Sequence, residues 1–76
     1  MARRQHEIRI GLIKARISRR QTGPNTRYSV AVVRLYRNGD VWSESSRFGP
    51  KDLPLVRLVL DRAHLWVLQQ SQRIDS

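Results

Sequence analysis

The chain has 76 residues, 15 basic against 6 acidic side chains, and no cysteine. That length holds a single domain, 1–76, and excludes two. The missing thiols exclude a zinc–thiolate site, a cysteine nucleophile and a disulfide scaffold. No stretch approaches the roughly 18 continuous apolar residues of a membrane span, and the start, M-A-R-R-Q-H-E, leads into no signal-type apolar run. A cytoplasmic protein without membrane association is the expectation.

The formal net charge of +9 is unevenly placed. Residues 1–37 hold ten basic groups and one acid, Glu7, whereas residues 38–76 hold five of each sign. Thirteen of the fifteen basic residues are arginine, which grips phosphate in two places and stacks on bases. A coding bias accounts for the Arg:Lys ratio but not for the segregation. Such asymmetry favours a polyanionic partner, nucleic acid first among them.

Residues 1–6 are polar and basic, and read as a flexible arm. From Glu7 to Ser18 the isoleucines alternate on one parity to Leu12 and on the other from Ile13, with Gly11 at the slip. That pattern predicts a strand with a bulge or strong bend; Ile10, Ile13 and Ile17 also fit a helix, which is the competing reading. Arg19–Thr26 has loop chemistry around Gly23-Pro24-Asn25. Arg27–Arg37 is a strand with Tyr28, Val30, Val32, Arg34 and Tyr36 on one face. Asn38-Gly39 predicts a tight hairpin, because both central residues of a type I′ turn need positive φ. Val41–Phe48 returns as a partly buried strand. Gly49-Pro50 ends the sheet, which spans 7–48, and Asp52 caps a helix over 53–70. Leu53, Leu55, Val56, Val59, Leu60, Ala63, Trp66 and Val67 form its core stripe, and Ile8, Ile10, Val30, Val32 and Trp42 offer the sheet face to receive it. Leu58 and Leu65 fall outside the stripe and predict a homodimer contact. Residues 71–76 read as a frayed tail.

Enzyme signatures are absent: His6 and His64 have no metal-spaced partner, no serine has a base beside it, and the glycines mark separate turns. The reading is not an enzyme, with no catalytic residue, no metal and no cofactor. What remains is a set of basic and aromatic residues interleaved on strands. Rings offer stacking platforms to unpaired bases while arginines follow the phosphates. Tyr28, Tyr36 and Trp42 are also readable as core, which is the stronger reading of the rings taken alone.

The order of strand, strand, Asn-Gly hairpin, strand and C-terminal amphipathic helix resembles the transcriptional-coactivator/Whirly-type single-stranded-DNA-binding superfamily. The matching stretches are Tyr28–Tyr36, Asn38-Gly39, Val41–Phe48, Gly49-Pro50 and Leu53–Gln70. Three strands are clear here where that family has four, unless the bend at Gly11–Leu12 divides the first. The resemblance implies a dimer whose basic and aromatic strand residues bind an unpaired strand. The segments Y-S-V-A-V-V-R-L-Y and S-R-F-G-P-K-D-L are also similar to small uncharacterised bacterial proteins, which implies no function.

The expectation is therefore an α+β domain, an antiparallel three- to four-stranded meander packed on one C-terminal amphipathic helix. Its expected function is sequence-tolerant single-stranded nucleic-acid binding, DNA ahead of RNA, through Arg16, Arg27, Arg34, Tyr36, Arg37 and Arg47. The alternative is a protein–protein module, or a subunit of a nucleoprotein complex, whose basic half meets an acidic protein partner.

Overall fold

Four antiparallel strands in sequential order and one helix build the computed structural model, which describes the backbone of residues 4–75 and the side chains of 5–70. The strands are β1 (Arg4–Ile10), β2 (Ile13–Thr22), β3 (Asn25–Asn38) and β4 (Val41–Ser45). A 3₁₀ turn at Pro50–Asp52 leads into α1 (Leu53–Asp75). This is the expected α+β meander backed by a C-terminal helix, with four strands.

Each hairpin closes through two residues with glycine first: Gly11-Leu12, Gly23-Pro24 and Gly39-Asp40. The three glycines have φ of +60°, +59° and +66°, and no other residue has positive φ among the described residues. One positive φ at the first loop position is the pattern of a type II′ turn, whose twist matches that of the flanking strands. Several expectations are corrected by this regularity. The slip at Gly11 is a full reversal, not a bulge, so the first expected strand is two. The polar stretch Arg19–Thr26 is mostly ladder, since β2 runs to Thr22 and β3 resumes at Asn25. Asn38 is the last residue of β3, paired with Val41, and the turn belongs to Gly39-Asp40.

The expected arm 1–6 is also strand from Arg4 onward, while residues 1–3 lie outside the described residues. The arm's ladder with Ile17–Arg19 makes it so, and His6 also stacks on Trp66 of α1 with ring centroids 4.5 Å apart. The sheet ends at Ser45 instead of 48, and α1 runs on through Asp75 in place of the expected frayed tail.

Ile13, Ala15 and Ile17 of β2 and Val59 and Ala63 of α1 are the fully buried core. Ile8, Ile10, Tyr28, Val32, Phe48, Leu55, Val56, Trp66 and Val67 pack around them. The helix therefore lies over β1 and β2, the middle of the apolar pattern. Leu53 and Leu60, expected in the stripe, are exposed, because a helix seated on two strands buries only a narrow arc. Val30, also expected to receive the helix, is 42 % exposed for the same reason.

Candidate nucleic-acid interface

Register assigns every strand residue to a face. Ile13, Ala15 and Ile17 point at the helix, so Lys14, Arg16, Ser18 and Arg20 point away from it. Their cross-strand partners on that open face are Arg9 and Glu7 of β1, and Val33, Ala31, Ser29 and Arg27 of β3. Farther along, Leu35 and Arg37 face Glu44 and Trp42 of β4. The open face thus presents Arg9, Lys14, Arg16, Arg20, Arg27 and Arg37 against two carboxylates, Glu7 and Glu44.

Those carboxylates gather at the centre. Arg16 Nη2 donates to Glu44 Oε2 at 2.9 Å, and Lys14 Nζ lies 3.2 Å from the same oxygen. Glu7 Oε2 sits 3.4 Å from Arg16 Nε and 3.7 Å from Lys14 Nζ. The Lys14 ammonium first, and then Arg16, hold the Glu44 carboxyl below its ordinary 4.5. The hydrogen bond to Glu44 in turn raises the Arg16 guanidinium above its ordinary value. The centre of the face is therefore close to charge balance.

Its two ends are not. Arg20 and Arg27 stand directly opposite one another, both exposed, and neither has an ion-pair partner among the described residues. Like charges in register are destabilising on a sheet. At the other end Arg37 pairs across the ladder with Trp42, which is 56 % exposed. Arg37 Nε donates to the Gly39 carbonyl at 3.0 Å, and its one ion-pair partner among the described residues is exposed Asp40, at 4.0 Å.

Of the six expected binding residues, Arg16, Arg27 and Arg37 share this open face. Arg34 and Tyr36 lie on the opposite, helix-side face. There the Arg34 guanidinium stands 5.7 Å from the Tyr36 ring, Nε donates to the Arg47 carbonyl at 3.2 Å, and Asp52 Oδ2 is 3.6 Å away. Arg47 joins the cluster through its backbone carbonyl. Asp52, expected to cap α1, instead accepts from the Gly49 N–H at 2.8 Å and closes the 3₁₀ turn. This cluster clasps the end of β4 to the start of the helix. Trp42, expected to meet the helix, takes the open face, because its ladder partner is Arg37 and not Tyr36. Arg9, Lys14 and Arg20 complete that face; their signal was strand parity, readable only once Gly11 is a turn.

Leu58 and Leu65 are exposed on the outer side of α1, joined at helical spacing by exposed Leu68. No helix among the described residues is long and apolar enough to cross a membrane. Comparison with protein-family models, curated proteins and solved structures finds no match to this chain.

Proposed function

We propose that this protein binds single-stranded nucleic acid, DNA ahead of RNA, on the open face of its sheet. The observation that carries the reading is the opposed pair Arg20 and Arg27. Two exposed guanidiniums in register weaken the sheet, and breaches of local rules of this kind concentrate at functional sites. An anion laid between them relieves the repulsion. Ser29 and Ala31, small and exposed, leave a shallow floor beside the cations of β2. Trp42 beside Arg37 supplies a ring for a base at the far end. Of the residues expected from sequence, Arg16, Arg27 and Arg37 belong to this surface, and Trp42 takes the stacking role expected of Tyr36. The four-strand meander with its following helix is also the element order of the superfamily the sequence resembles. The binding species is a homodimer, acting in the cytoplasm.

Titration of fluorescent single-stranded DNA, RNA and duplex DNA of equal length tests this. Stacking on Trp42 favours the unpaired strands, and charge alone favours the denser duplex. Arg27→Glu replaces a repulsive pair with an attractive one, so it stabilises the fold by about 0.2–1 kcal/mol while weakening binding. A fold that gains stability with binding unchanged removes the open face as the site. Equal weak binding to all three nucleic acids favours the second reading, a module for an acidic protein partner; the exposed leucines of α1 support that one.

A further inference from the structure

We propose that two copies of this chain join through the free edge of β3, antiparallel about a two-fold axis at Ser29, into one continuous sheet. The proposal names the interface of the dimer assumed above and stands apart from nucleic-acid binding. β3 spans Asn25–Asn38, but β4 covers only Arg34–Asn38, so the outer edge of residues 25–33 has no strand beside it. Leu35 N–H donates to the Leu12 carbonyl on the β2 side at 2.7 Å. By alternation the N–H and C=O groups of Thr26, Tyr28, Val30 and Val32 point the other way, into the uncovered edge. Among the described residues these groups have no backbone partner.

The sheet's other edges are defended and this one is not. β1 carries Glu7 and Arg9 on its outer strand, and β4 is five residues long. The free segment N-T-R-Y-S-V-A-V-V has one charge, no proline and no bulge, a composition that invites strand addition. The helix sits mainly over β1 and β2 and reaches β3 through Trp66, whose ring meets Tyr28 edge-on at 6.2 Å, so it leaves the backbone edge of β3 uncovered.

The occupant is a second copy because the window is complementary to itself. An axis at Ser29 centres the free residues 25–33 and stops each copy short of the other's β4. Thr26 then faces Val32 of the second copy, and Tyr28 faces Val30, in four pairs exchanging about eight hydrogen bonds. Tyr28 against Val30 is a favourable aromatic and β-branched pair, and it covers a valine that is 42 % exposed. On the open face Arg27 meets Ala31 of the second copy. The two Arg27 side chains stand about 13 Å apart along the strands, so no like charges oppose across the seam. The open faces of the two copies become one surface.

Sedimentation of the full chain without nucleic acid, at high micromolar concentration, tests the interface. The wild type sediments at twice the chain mass. Val30→Pro halves that mass with the circular dichroism unchanged, because the Val30 N–H points outward and no intrachain ladder bond is lost. Val30→Lys, which keeps that N–H and adds an edge charge, also halves it, and decides the matter should the proline variant unfold. Leu58→Glu with Leu65→Glu leaves the dimer intact. A wild-type monomer overturns the proposal together with the dimer. A dimer that survives Val30→Lys but falls to the Leu58 and Leu65 changes moves the interface to the helix and overturns the edge alone.

Discussion

Arg34 shows how a residue with the chemistry of a binding group becomes part of the frame. Its Nε donates to the Arg47 carbonyl and faces the Asp52 carboxylate, and the guanidinium lies over the Tyr36 ring, so the side chain works in the clasp between β4 and the start of the helix. It lies in mid-strand within the basic half, like Arg16 and Arg27, but its parity sets it with Val30 and Val32 and opposite to Arg27. What separates them is the face, and the face depends on which side of the sheet the helix takes. Arg34→Ala is expected to lower stability by about 1–2 kcal/mol, since a hydrogen bond and a half-exposed ion pair are lost together. It leaves affinity for a single strand near the parent value. Trp42→Ala should do the reverse: the melting temperature holds, and binding weakens by about 1–3 kcal/mol, the worth of one stacked base. Thermal melts and titrations on the two variants check the assignment. Strong loss of binding in a folded Arg34→Ala protein returns the site to the helix side.

At the scale of elements, the sequence is most readable where side chains alternate into the core. β3 and α1 follow from their patterns, and the charge segregation points to the strands that carry Arg16, Arg27 and Arg37. The ends of β2 and β3 are less readable, because Arg19–Thr22 and Asn25–Arg27 are polar throughout and have no apolar alternation to show a period of two. Arg4–His6 is strand through its ladder with Ile17–Arg19, and His6 stacks on Trp66, a partner sixty residues away that no local pattern reveals. The hairpins are misread in a more instructive way. Asn38-Gly39 looks like a turn that needs two positive φ values, but only Gly39 has one. Gly39→Ala is therefore expected to cost about 1 kcal/mol or more, from strain at φ +66°. Asn38→Ala, at an exposed strand end with negative φ, should change stability by less than about 0.5 kcal/mol. Denaturant midpoints of the two variants separate a type II′ turn from a type I′ turn. Equal losses at both positions contradict the II′ assignment.

As a whole molecule the chain is thin and long, with extents of 45 × 26 × 15 Å. Fourteen residues of β3 at about 3.3 Å each already account for the long axis. The radius of gyration of 14.4 Å exceeds the roughly 11 Å of a compact chain of this length. So flat a body has a small core and sets much of its charge on one face, where repulsion works against the fold. Glu44 is the counterweight on that face: Lys14 and Arg16 both lean on its carboxylate. Their effect on stability has a definite sign. The folded carboxyl titrates below its ordinary 4.5, so its stabilising contribution is complete above that pH. As pH falls through the lowered folded value, the carboxyl protonates and the contribution disappears. Lys14 and Arg16 then keep Glu7 as their one ion-pair partner among the described residues. Acid should therefore lower the melting temperature as pH falls below about 4.5, and added salt should reduce that loss by screening the exposed cations. Glu44→Gln removes the carboxyl, so its stability at neutral pH is expected to drop toward the wild-type acid value and to vary less between pH 3 and pH 6. Circular-dichroism melts across that range, with and without salt, read both effects. Stability that is flat through the acid range in the wild type contradicts the role given to Glu44 and leaves the open face without its electrostatic anchor.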